Sequence, residues 1–193
     1  MLGFNHRAAF AVSAALFTVS LLGGLAVSSA QAANDTESAT VSVTVEPFVS
    51  IVVAQGATIS TGNTATATGN VTVATNNAAG YQLSVKGTGG TSHEGDLQGQ
   101  TTGTEYIAAG ASTDLTADNL SAGTWGLGSA AATGSDFANK LGAVTGSDKV
   151  FKSTSSTAPL PAGDTTSVTY GVNVQNQSPQ VYQGSLLWTA ITN

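Results

Sequence analysis

The chain contains no cysteine. A disulfide framework, a cysteine metal site, a thiol nucleophile and a lipid-modified cysteine anchor are thereby excluded. Arginine is nearly missing as well, Arg7 being the only one. Charged residues make up 8% of the sequence, so its polar faces must be built from hydroxyls and amides. Beyond residue 32, four lysines (Lys86, Lys140, Lys149, Lys152) stand against eleven acids, a net charge of −7. That balance argues against nucleic acid, which needs a basic surface to displace counterions, and against anionic lipid. His93 is the one histidine in this stretch, and no nucleophile-elbow pattern accompanies it. A serine nucleophile would lack a partnered base. No phosphate-binding glycine motif opens a helix. The expectation is a protein that is not an enzyme and carries no cofactor or metal.

What is present begins with a processing signal. His6 and Arg7 precede an apolar run over 8–27, and Ala30-Gln31-Ala32 fits a small-x-small cleavage pattern. We read residues 1–32 as a signal peptide cut near Ala32/Ala33, with a retained membrane anchor as the competing reading. The remaining 33–193 form a single domain of 161 residues, long enough to bury a core without disulfides.

Alternating apolar residues then set the fold class. Residues 39–54 place Val41, Val43 and Val45 on one face, and Val49, Ile51 and Val53 follow a break at Glu46-Pro47. Residues 55–69 read as a weak strand or loop. Val71 and Val73 mark a short strand, and Tyr81, Leu83 and Val85 mark the next. The Asn/Gly turn over 76–80 predicts a hairpin between them. Residues 87–103 are a Gly/Thr-rich loop, and Tyr106 to Ala109 a short strand. Residues 114–134 read as irregular, 135–140 as one helical turn, and 149–152 as a strand. Residues 158–164 form a Pro/Gly turn before a strand carrying Val168, Tyr170, Val172 and Val174. The closing stretch puts Tyr182, Gly184, Leu186, Trp188 and Ala190 on one face, with Leu187, Thr189 and Ile191 on the other. Seven or eight strands with no amphipathic helix predict an all-β, antiparallel β-sandwich, Ig-like or jelly-roll-like.

Several clusters have a chemical reading beside a plain one. His93, Glu94 and Asp96 have the ligand types for a divalent metal or acid–base work, or are a solvated loop. Asp114, Asp118 and Asn119 offer oxygens without the spacing of a calcium loop. Leu160-Pro161-Ala162-Gly163-Asp164 resembles a sortase sorting signal, but lacks Thr before Gly and leads into a strand. Lys86 and Lys152 are candidates for isopeptide bonds to asparagine, and Asn70-Val71-Thr72 fits a glycosylation acceptor. Trp125, between two glycine-rich flanks, is expected at the surface, and Trp188 in the core.

Two segments resemble the WxL domain family of bacterial cell-surface proteins. One is the closing stretch, with Tyr182, Leu186, Leu187, Trp188, Thr189 and Ile191; the other is Gly80-Tyr81-Gln82-Leu83-Ser84-Val85. Tyr81 stands where the family has Trp, and Ala190 where it has Leu. The resemblance implies non-covalent attachment to the peptidoglycan of a Gram-positive-type wall, complexes with other cell-surface proteins, and a role in adhesion. The binding residues it suggests are Trp188, Tyr182, Tyr81 and Leu83, to which the exposed reading of Trp125 adds a fifth. The expected function is therefore a secreted, non-enzymatic surface protein. The alternative is a pilin-like or surface-fibre subunit that self-assembles by strand exchange.

Overall fold

In the computed structural model the alternation of apolar and hydroxyl side chains is realised, among the described residues, as ten strands: β1 (Val49–Val53), β2 (Thr64–Thr75), β3 (Tyr81–Gly87), β4 (Leu97–Gly99), β5 (Tyr106–Ala109), β6 (Thr124–Gly128), β7 (Lys149–Ser153), β8 (Leu160–Asn173), β9 (Tyr182–Gln183) and β10 (Leu186–Thr192). The structure describes residues 40–54, 57–90, 92–155 and 160–193. The predicted leader and its cleavage site lie outside them. All ten strands belong to a compact unit spanning Thr44–Asn193. No helix among the described residues is long and apolar enough to cross a membrane.

The fold is all-β and sandwich-like. A seven-stranded sheet runs in the order β1-β2-β8-β6-β5-β4-β9, and a three-stranded sheet in the order β10-β3-β7. Every pair is antiparallel except β5 with β6. Strand β8 is the spine of the larger sheet, paired with β2 on one side and β6 on the other. Its Thr166, Val168, Tyr170 and Val172 are buried on one face, as the period of two demands, while Gly171 and Asn173 are buried on the other.

The core lies between the two sheets. Val71 and Val73 of β2, Leu127 of β6 and Val168 of β8 face Tyr81, Leu83, Val85, Phe151 and Trp188 of the smaller sheet. Trp188 is 8% exposed and meets Phe151 edge-on, with ring centroids 5.0 Å apart. Each large apolar side chain buried here contributes roughly 1.5–3 kcal/mol. A polar tie also crosses the core. Tyr81 on β3 donates its hydroxyl to Asp164 on β8 at 2.7 Å, and Lys152 on β7 pairs with the same carboxylate at 2.8 Å. The Lys152 ammonium also donates to Thr166 at 3.0 Å.

Several local expectations change. Residues 40–48 are not strand, and the first strand starts only at Val49, after Pro47. Strand β2 begins earlier than its valines indicate, at Thr64, because its first half is Thr/Ala alternation paired to β8. The predicted hairpin over 76–80 is instead an arch: β2 and β3 lie in different sheets. Both strands carry a strongly apolar face, and arching lets the two faces cover each other across the core. Gly80 makes the reversal possible at φ +85, where an added Cβ would lie 2.5 Å from the Thr154 carbonyl oxygen.

Strand β4 lies within the loop expected over 87–103, and β6 within the stretch read as irregular, while 135–140 is a turn. A 3-10 turn forms at Ala117–Asn119. The Pro/Gly segment opens β8 with a bulge, since three residues between Leu160 and Asp164 oppose the single Ala74. The closing stretch divides: β9 joins the larger sheet and β10 the smaller one, with Gly184 and Ser185 between them.

Candidate functional site

The five residues singled out by sequence do not gather at a surface. Tyr81, Leu83 and Trp188 are in the core. Trp125, expected outside, is 5% exposed and sits on β6. Glycine flanks suggested a loop, but they let β6 pack tightly beneath neighbouring backbone. The Trp125 indole N–H donates to the Gly95 carbonyl oxygen at 2.9 Å, satisfying its one polar atom. Tyr182 is half-buried, its hydroxyl bonded to Ser178 and Gln180.

The bond from Trp125 fixes a different feature, the loop that precedes β4. Gly89 donates to the Glu94 carbonyl at 3.0 Å, and Asp96 donates to that of His93 at 3.1 Å, so the loop folds on itself. Gly95 is required by close approach: a Cβ there would lie 2.0 Å from the Val144 carbonyl oxygen. Asp96 then spans two partners. One carboxylate oxygen accepts the Ala109 N–H at 2.8 Å, and the other meets His93 Nδ1 at 2.7 Å. The His93 ring in turn stacks on Tyr106, with centroids 3.8 Å apart and planes within 5°.

Strand register completes the site. Gln98 on β4 pairs with Tyr106 on β5 and with Gln183 on β9. Directly paired residues share a face, so Tyr106, Gln98 and Gln183 form one outward row across three strands. Leu97 and Ile107, on the opposite face, pack toward the core. The row floors a shallow cleft of about 270 Å³, walled by Gly89, Gly90, Asp96, Gln100 and Ser185. A second cleft of about 250 Å³ lies on the far side of the His93 loop, beside Val144 and Gly146. The first offers amide donors and acceptors, a carboxylate and an aromatic ring held by a stacked partner. Such convergent groups suit a polar, ring-shaped ligand.

The remaining clusters have structural explanations. Glu94 does not join His93 and Asp96: among the described residues no three His, Cys, Asp or Glu side chains come together to hold a metal ion. The Asp114 carboxylate accepts from the Thr116 hydroxyl and backbone N–H and from Asn119, bonds that hold its pKa below the usual carboxylate range. Asp118 accepts from Thr64. Lys86 and Lys152 each meet an aspartate, Asp148 and Asp164, rather than an asparagine. Burial pushes the Asp164 carboxyl upward, but hydrogen bonds from Lys152 and Tyr81 and the lysine charge outweigh it and leave it low. Tyr81 is raised well above an ordinary tyrosine by burial and by Asp164.

Sequence reading named His93 and Asp96 but missed Gln98, Tyr106 and Gln183 as a set. The local signal was confined to Gln98 and Gln100 alternating in a glycine-rich stretch; the third member arrives only through the pairing of β9 with β4. No family model, curated protein or solved structure matches the chain. The resemblance to WxL domains therefore rests on its motif residues alone.

Proposed function

We propose that the chain is an exported, non-enzymatic β-sandwich of the cell surface that holds non-covalently to peptidoglycan. The row Tyr106–Gln98–Gln183 is the contact surface in this reading, and it is the observation that carries it. Amino sugars present hydroxyls, acetamido groups and an apolar C–H face, which match side-chain amides beside an aromatic ring. The predicted leader and the WxL-like segments support the location. The absence of arginine beyond residue 32 and the acidic balance there agree with a neutral glycan ligand better than with a phosphate backbone. The non-enzymatic part is supported by His93, whose side-chain hydrogen bond among the described residues goes to Asp96 and to no hydroxyl nucleophile. In this reading Trp188 and Tyr81 identify the domain by building its core, and do not touch the wall.

Titration with soluble peptidoglycan fragments, followed by amide NMR, tests the assignment. Shifts are expected at Gln98, Gln100, Tyr106 and Gln183; shifts confined elsewhere, or none at millimolar fragment, overturn it. A second reading, a surface-fibre subunit joined by strand exchange, is favoured by one observation: Val41, Val43 and Val45 alternate like a strand, yet are 85%, 81% and 75% exposed.

A further inference from the structure

Exposed large apolar side chains are concentrated in two stretches of the chain. Of the ten found among the described residues, six lie between Val41 and Val53, and two more, Leu187 and Ile191, are on β10. Strands β1 and β10 pass beside each other, one at the edge of each sheet. The four sheet edges are not treated alike. Edge strand β7 carries Lys149 and Lys152, and β9 is two residues long. Charge and brevity are the usual protections against edge-to-edge pairing. Strands β1 and β10 have neither a charge nor a proline: they read Val-Ser-Ile-Val-Val and Leu-Leu-Trp-Thr-Ala-Ile-Thr.

The free edge of β10 can be resolved to single backbone groups. Thr88 N–H bonds the Ser185 carbonyl at 3.0 Å, and Asn193 N–H bonds that of Gly80 at 3.2 Å. In an antiparallel pair such bonds fall on alternate residues. Odd-numbered residues of β10 therefore face β3, and Leu186, Trp188, Ala190 and Thr192 present N–H and C=O groups to the open side. On that side the smaller sheet, three strands against seven, leaves Val49, Ile51, Leu186 and Ala190 only partly buried although they pack on the core. A fourth strand there would cover them.

The chain supplies a segment of that description. Residues 40–45 read Thr-Val-Ser-Val-Thr-Val, a strict alternation of β-branched or hydroxyl residues with no backbone partner among the described residues. The segment departs from a fixed point, since the Asn76 side chain donates to the Glu46 carbonyl at 2.8 Å and accepts the Phe48 N–H at 2.7 Å. We infer that residues 40–45 of one copy add as a fourth strand to the open edge of β10 in a second copy. Donor and acceptor are different surfaces, so the contact is head-to-tail and propagates into linear chains. This deepens the fibre-subunit reading and rests on it, independently of wall binding.

Sedimentation velocity on the purified protein, as its host processes it, tests the inference across a concentration series. The natural chain is expected to form a ladder of species that lengthens with concentration. The donor variant Val41→Asp/Val43→Asp/Val45→Asp and the acceptor variant Ala190→Pro should each associate at least tenfold more weakly. Proline at 190 removes only an outward N–H, and near-UV circular dichroism from the core tryptophans checks the fold of both. A one-to-one mixture of the two variants retains one intact donor and one intact acceptor, and should restore a dimer and nothing longer. A natural chain that stays monomeric throughout overturns both this inference and the fibre reading. A ladder undiminished in the donor variant overturns this inference and leaves the fibre reading standing on another edge.

Discussion

Single residues divide into those that build the sandwich and those that face outward. Trp188 packs on Phe151 inside the core, so Trp188→Ala should lower unfolding free energy by about 3–5 kcal/mol in denaturant titration. An effect below 1 kcal/mol would place the indole at the surface instead. Asp164 joins both sheets through Tyr81 and Lys152, and its carboxyl is held low in the folded protein. A depressed carboxyl stabilises the fold above its unfolded value, near pH 3.9, and that stability is lost as pH falls toward the folded value. Asp164→Asn should therefore be less stable than the natural chain at neutral pH, with the gap closing below about pH 4. A gap that persists unchanged at pH 2 would contradict the ion-pair account. Tyr81 acts at the other extreme: its raised value means that stability is lost only as pH climbs past about 10, where unfolded tyrosine ionises.

Among the elements, the arch from β2 to β3 decides how the chain divides between sheets. Gly80→Ala forces a side chain into positive φ and against the Thr154 carbonyl. It should cost about 1–2 kcal/mol from the backbone conformation alone, read as a lowered melting temperature. No change on substitution would mean that the turn relaxes freely. This element also marks how far the sequence could be read. The period-two runs at Tyr81 to Val85, Val168 to Val174 and Leu186 to Ile191 identify strands and their inward faces, because burial imposes that period directly. They do not identify partners. An Asn/Gly turn is equally compatible with a hairpin and an arch, and only the mutual covering of two apolar faces selects the arch. Trp125 lies inside the fold for a related reason. Its glycine flanks do not form a loop but let the backbones around β6 come close, a property of the assembled sheets.

At the scale of the whole molecule, the candidate site is the least local feature. Tyr106, Gln98 and Gln183 come from three strands, and β9 reaches the row only because the closing stretch splits at Gly184 and Ser185. His93 and Asp96 stand out as a cluster, but their placement against Tyr106 at the cleft depends on the loop being tied to Trp125. Low charge is equally a whole-molecule property. A surface of hydroxyls and amides would recognise a ligand by hydrogen bonds, so the proposed wall attachment should change little with added salt. Co-sedimentation of the purified protein with isolated peptidoglycan is the decisive test of the proposed wall attachment. Saturable pelleting is expected at 0.15 M and at 0.5 M salt, with its loss in Tyr106→Ala/Gln98→Ala at an unchanged melting temperature. A natural chain that remains in the supernatant, or a variant that pellets equally well, would contradict it.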